Sequence, residues 1–517
     1  MPFAVYFASL DGAAGYWDTG EAQVVPWIFG IMHATGFPAF TILAGIFAHA
    51  FPIGSVAWRI ALFSALAMSG AAWLVFRIVN ELDGDPWIAA AGAWVFAFGI
   101  VAWTRGTRAE VHALAAFLAV ATLYAAIRWY RRGDPRMLVA GALAWGLGIA
   151  THPIDALLLP ALLILFVARV RRVRLRAFAL ALAALTFGVV WYAYLPARSA
   201  AVTAARLDPT RSLGVPPGRS FWDNDHPSSW SGFVQEVSGT DFSAGGTVRS
   251  MIAPQTYIEA APAYLLTLIV ELSPVGVLLA AGGMYALWHR DRALAMAFAA
   301  AFAVPTAFGL AYTIEADSKR YYLIGFVVAA ALAGYGASEL IRALPALRRA
   351  ATLTVTLLAF GLLAVNRETF EQRHDAGAQA VITTVIQNTP RNAVLISPWL
   401  FATPLAYGAY VEHRLGDRIV DPAWLAEDAA RVPAWTRTRP VYVVGILFGN
   451  VTGYRTVKIP GSPDLYRVVP ALPSPRSPLH SLHRISAPVH TTTTSCSRTR
   501  SCTGTPGSRG RAHTSMH

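Results

Sequence analysis

Residues 321–341 read YYLIGFVVAAALAGYGASELI, an apolar run with Glu339 as its single carboxylate and no cation. A helix needs about 20 predominantly apolar residues to cross a bilayer, so this stretch predicts a membrane span. Working outward, similar runs stand at 55–79, 87–104, 111–130, 137–151, 153–168, 177–196, 264–287, 293–313 and 350–366. The runs 137–151 and 153–168 are short and meet at Thr151-His152-Pro153, where proline breaks a helix. They read either as a tight hairpin of two tilted spans or as one broken element. Composition agrees with a membrane protein: 55% of the chain is hydrophobic and 14% charged, against about 45–50% and about 25% in soluble domains. The predicted fold class is an all-α polytopic membrane protein of about ten spanning helices.

The formal net charge of +13 does not point to nucleic acid, because the basic residues sit in short clusters between apolar runs. Arg128, Arg131, Arg132 and Arg136 form one cluster, Arg169 to Arg176 a second, Arg290 and Arg292 a third, and Arg342, Arg348 and Arg349 a fourth. Short basic loops mark the cytoplasmic side. Alternation then places 1–54, 104–111, the 151–153 turn, 197–263, 314–320 and everything after 367 outside. The abundance of Ala, Arg, Gly and Pro fits a GC-rich bacterial genome, and the predicted location is the inner (plasma) membrane. Phe37 to Phe51 is too short to span and reads as a helix in the outer interface. Residues 1–10 are also too short, so a first helix is expected to be missing from the chain. The transmembrane domain is thus 1–366, with outer loops at 1–54 and 197–263.

Beyond 366 the long apolar runs end. Strand-like Ala393 to Ile396 and Val441 to Ile446 alternate with amphipathic stretches, which predicts a small α/β extracytoplasmic domain over 367–470. The remainder, 471–517, is rich in Ser, Thr, Arg, His and Pro and has little to bury. It reads as disordered, and its abrupt onset suggests a frameshift. Cys496 and Cys502, the two cysteines, both lie there, so neither a disulfide framework nor a cysteine metal site is expected in the folded part.

Four ionisable constellations fall on the outer side. Asp18 and Glu21, in Trp17-Asp18-Thr19-Gly20-Glu21, have the spacing of a helix capping box, and a carboxylate there also suits a general base. His33 lies in a Gly- and Pro-flanked turn, Gly30 to Pro38, where it would bind phosphate or tune Asp18, or simply sit at the interface. Arg105, Arg108, Glu110 and His112 mark the outer end of a helical hairpin, with His152 in the same layer. Ionisable groups beside a membrane cavity are functional candidates, and arginine forks suit phosphate oxygens, although each arginine alone reads equally as a snorkelling side chain. Lys319 and Arg320 precede Tyr321 and Tyr322 at the start of the 321–341 span, and Arg198 follows Tyr194-Leu195-Pro196. No zinc-spaced histidines, Gly-rich phosphate loop or Asp-x-Asp metal motif for a nucleotide sugar is found, so no metal and no cofactor is expected.

Trp17-Asp18-Thr19-Gly20-Glu21, Gly30-Ile31-Met32-His33 and Gly36-Phe37-Pro38 together resemble the opening of a membrane family related to the animal transmembrane protein O-mannosyltransferases, of the GT-C glycosyltransferase class. Ala109 to Leu114, Gly148 to His152 and Tyr194 to Arg198 extend the resemblance over residues 10–340. It implies a GT-C fold, a polyprenyl-phosphate sugar as donor substrate, a protein hydroxyl or cell-envelope glycan as acceptor, and Asp18 as catalytic base. Glu21 and His33 would support that base. Arg105, Arg108, Arg198 and Arg320 compete for the donor phosphate, with Lys319, Glu110, His112 and His152 lining the substrate site. The alternative is a transporter or flippase of lipid-linked sugars, which would use the same basic cavity without a base.

Overall fold

The computed structural model describes residues 1–240, 250–312, 318–369, 376–447, 449–462 and 464–471. The tail beyond 471 and its predicted disorder lie outside them. Every one of the ten predicted spans carries helix. Among the described residues seven helices are long and apolar enough to cross a membrane: Val56–Glu81, Val111–Arg132, Leu175–Ala205, Pro254–Arg290, Arg292–Ala311, Ser318–Ala343 and Pro345–Thr369. The bent pair Pro86–Phe98 and Ile100–Thr107 has the length and apolarity of an eighth, whether as a broken span or as a re-entrant hairpin. The two short runs are Pro135–Thr151, of 17 residues, and Leu159–Arg169, of 11, joined by the 3-10 turn Pro153–Leu158.

Local chemistry sets the starts. Asp85 and Asp134 each precede a proline, and their carboxylates accept the orphan N–H groups of Trp87 and Arg136, at 3.0 and 2.9 Å. This joins a good N-cap to a proline in the first turn. The run 87–104, expected to be continuous, instead bends by 69° at Gly99. Its second half begins with a backbone N–H on Val101 that donates to the buried Glu271 at 2.8 Å. Glu271 thus satisfies a new helix start inside the bundle. Its own helix, Pro254–Arg290, breaks at Ser273 (φ 63°, ψ 164°), beside Pro274.

Ser318–Ala343 is the most enclosed of the long helices, with 89% of its apolar window buried. Small residues allow this. A Cβ on Gly283 would stand 2.1 Å from the Leu332 carbonyl, and one on Gly336 would stand 2.1 Å from that of Leu279. Close backbone approach replaces the hydrophobic effect as the source of packing energy between membrane helices. At the basic end, Glu81 takes Arg128 (3.3 Å) and Arg132 (2.6 Å), and Asp83 takes Arg131 (2.7 Å) and Arg290 (2.8 Å). Arg348 reaches Asp85 at 3.0 Å, so members of three of the four predicted cytoplasmic clusters gather on one acidic loop, and among the described residues the cluster from Arg169 to Arg176 does not join them.

The predicted outer loop 197–263 contains the helices Tyr194–Ala205 and Trp230–Ser238; residues 241–249 lie outside the described ones. The short apolar helix Pro38–Ala50 occupies the segment expected at the interface. Strands β1 (Val394–Ile396), β2 (Ile419–Asp421), β3 (Val441–Val444), β4 (Tyr454–Lys458) and β5 (Leu465–Pro470) form a sheet in the order β2-β1-β3-β5-β4. β1 is parallel to β2 and β3, while β5 is antiparallel to β3 and β4. The chain leaves β1 into the helix Trp399–Ala406, which packs on Trp17–Ile28.

Candidate active site

Trp17–Ile28 starts without a side-chain cap, so the capping-box reading of Asp18 and Glu21 gives way. Glu21 is fully buried. One of its oxygens accepts the His33 backbone N–H at 2.6 Å, and the other pairs with the His33 ring at Nδ1. The His33 turn is held from outside by Phe221, whose carbonyl accepts from Ile31 N–H at 3.2 Å. A Cβ on Gly30 would lie 1.9 Å from that same carbonyl, so only glycine permits the approach.

Asp18, in the first turn, is held from two directions. Arg320 Nη1 donates to Oδ2 at 2.7 Å and Trp399 Nε1 to Oδ1 at 3.2 Å. Burial alone would raise the Asp18 carboxyl. The charges of His33 and Arg320, with these two hydrogen bonds, outweigh burial and hold it below its usual range. Burial works against charge on His33 too, yet Glu21 and Asp18 prevail and lift it to about 9. His33 is therefore an imidazolium at neutral pH.

Across the cavity, Glu110 caps Val111–Arg132 and gathers its neighbours. Arg105 Nη1 lies 2.8 Å from Oε2, Arg108 Nη2 3.6 Å from it, and His112 Nδ1 2.8 Å from Oε1. Against the effect of burial, Arg105 and His112 hold the Glu110 carboxyl far below its usual range. The His112 and His152 rings stand 4.6 Å apart, with Phe37 stacked on His152. Asp18, His33, Phe37, His112, His152 and Arg320 are among the residues that line one small, partly open cavity.

The structure thus brings together Asp18, Glu21, His33, Arg105, Arg108, Glu110, His112, His152 and Arg320. Two predicted residues stand apart. Arg198 donates to the Ile28 carbonyl at 3.0 Å, and Lys319 is exposed, one residue away from the buried Arg320; neither lines the cavity. Trp399 was not anticipated. It lies 381 positions from Asp18, and nothing in its surrounding sequence marks it. Tyr312 and Tyr321 also line the cavity, and neither was among the predicted site residues. No group of three or more metal-ligating side chains stands together among the described residues.

Residues 18–175 match the family model described as the protein O-mannosyl-transferase TMEM260 N-terminal domain. The Dictyostelium discoideum protein O-mannosyl-transferase tmem260 is 31% identical over 117 residues, 22% of this chain and 14% of that protein. The Mus musculus TMEM260 protein is 35% identical over 111 residues, 22% of this chain and 16% of its own length. The match therefore spans only a small part of these relatives. Among solved structures, ArnT from Cupriavidus metallidurans in the apo state aligns over 90% of this chain and 95% of its own, with a TM-score of 0.53 at 14% identity. The same protein bound to undecaprenyl phosphate gives 0.54 at 14% identity, over 90% and 96%. At such identity the likeness is one of fold.

Proposed function

We propose that this chain, a TMEM260-related member of the GT-C membrane family, is an inverting glycosyltransferase that moves a mannose-like sugar from a polyprenyl-phosphate donor to a hydroxyl of a protein or cell-envelope glycan. The observation that carries this reading is Asp18, bracketed by Arg320 and His33 over one cavity at the end of the bundle opposite the basic loops. The acceptor oxygen attacks the anomeric carbon, the bond from that carbon to the phosphate oxygen breaks, and the phosphate leaves with the electron pair. Asp18 takes the acceptor's proton. Cationic stabilisation of the departing phosphate falls to Arg320, with Arg105 and Arg108 behind it.

The charge balance supplies a reason for the Arg320 contact. With Arg320 on its carboxylate, Asp18 is a poor proton acceptor. A donor phosphate draws the guanidinium toward itself, and the proton affinity of Asp18 rises as the substrate seats. The base is thereby strengthened when there is something to deprotonate. The ArnT complex with undecaprenyl phosphate, on the same fold, supports a polyprenyl phosphate as the carrier. The segregation of arginines to the other end supports an outward-facing site in the inner membrane. The reaction as proposed calls on no cofactor.

The test is transfer from radiolabelled polyprenyl-phosphate mannose in membranes bearing the full chain. The wild type releases and transfers the sugar, and Asp18→Asn falls by about a thousandfold or more, the scale of losing an essential base. Undiminished transfer by Asp18→Asn removes the base assignment. Movement of intact lipid-linked sugar across the bilayer without bond cleavage establishes the transporter instead.

A further inference from the structure

We propose that His112 and His152 form a reader for one hydroxyl of the transferred sugar, and so select a neutral, hydroxyl-bearing sugar over deoxy or amino sugars at that carbon. This rests on the donor reading above and concerns its sugar end. The argument turns on which ring nitrogen carries hydrogen. His112 Nδ1 lies 2.8 Å from the Glu110 carboxylate, an acceptor, so Nδ1 holds the proton and donates it. Glu110 already carries Arg105 and Arg108, and these two guanidiniums beside His112 disfavour a second proton on its ring. Its Nε2 then presents a bare lone pair. That atom is buried and has no hydrogen-bond partner among the described residues, on a side chain 7% exposed that lines the cavity.

His152 has the opposite tautomer. Its Nδ1 receives the Ile154 backbone N–H at 3.1 Å, which forces the proton onto Nε2. Phe37 stacks on the ring at 5.3 Å and fixes its plane. Two imidazoles 4.6 Å apart, centre to centre, thus offer one acceptor and one donor. A hydroxyl meets both at once, giving its hydrogen to His112 and its lone pair to His152. An ammonium has no lone pair for His152. A fully ionised phosphate has no hydrogen for His112, so the phosphate stays on the Arg320 side. A deoxy carbon leaves the buried Nε2 of His112 unpaired and gives His152 no acceptor, a mismatch that discriminates strongly.

The experiment measures thermal stabilisation of the purified full chain by three kinds of lipid: plain polyprenyl phosphate, polyprenyl-phosphate mannose, and each monodeoxy analogue of the latter. Plain carrier shifts the wild type, mannose adds a further increment, and one deoxy position loses that increment, binding about tenfold more weakly. In His112→Phe and His152→Phe the carrier shift remains, and mannose binds no better than that one analogue. Wild type that binds every deoxy analogue as tightly as mannose overturns the proposal without recourse to the variants. Variants that still discriminate among the analogues overturn it as well. Absence of any shift with plain carrier removes the lipid-phosphate reading itself, and this inference with it.

Discussion

Asp18 is the residue on which the others converge, and two neighbours give measurable handles on it. Trp399→Phe keeps the aromatic stack on Phe221, whose rings are 5.3 Å apart, but deletes the hydrogen bond to Asp18. Losing a donor to the charged form raises the carboxyl's pKa. The acid limb of the pH–rate profile therefore moves to higher pH, and kcat falls by about threefold to tenfold through lost orientation. His33 gives a stability handle of the opposite sign. Its folded pKa is raised to about 9, above an unfolded value near 6.5. Its contribution is full below about pH 6.5 and disappears as the pH rises through about 9. The melting temperature of the wild type in detergent should fall across that window, and His33→Gln should start lower and stay flat. Asp18, Glu21, His33 and Glu110 were legible because they are ionisable groups in short segments beside apolar runs, and the first three stand in the motifs that carry the family resemblance. Arg320 was not separable from Lys319, since which one turns inward depends on the 3-10 turn Ser318–Tyr322, where successive side chains lie about 120° apart. Trp399 was illegible because its role exists only after 381 residues of chain have folded back.

At the scale of elements, apolar length located each span, but the bends came from distant partners. The 87–104 run contains no proline after its first turn, and the bend at Gly99 depends on Glu271 arriving from another helix. The helix Pro254–Arg290 likewise starts before the apolar run that predicted it, because its first turns carry Gln255, Thr256 and Glu259, which an apolar count leaves out. Glycines separate the two kinds of constraint. Gly30→Ala would drive its Cβ against the Phe221 carbonyl, at 1.9 Å, and detach the His33 turn. It should cost about 1–3 kcal/mol, the range of a single disruptive substitution, and depress transfer with it. Gly361→Ala, in Arg348–Val365, meets nothing within 4 Å and should stabilise its helix by about 0.5–1 kcal/mol. Unfolding of both variants in mild detergent with added denaturant compares them directly.

The whole molecule keeps its charges at two ends. One end holds the arginine clusters on Glu81, Asp83 and Asp85, and the other holds the cavity. Single cysteines placed in a Cys496→Ser, Cys502→Ser background test the assigned sides. A cysteine at Trp230, 79% exposed, should react with an impermeant maleimide in intact cells, and one at Arg348, on a side chain 67% exposed, only after permeabilisation. That the arginine clusters and the cavity lie at opposite ends was legible from arginine counts and helix alternation. The sheet's order was not, because strands of three to six residues carry too little pattern to fix their neighbours. The run 321–341, which reads as a membrane span, turns out to be largely shielded within the bundle, with 89% of its apolar window buried, since hydropathy cannot tell a bilayer from a protein interior. Arg320 hangs from the cavity end of that shielded helix, which reaches hydrocarbon over little of its length. Bilayer thickness therefore acts mainly on the peripheral helices, which can tilt to match it, while the post that carries Arg320 keeps its height.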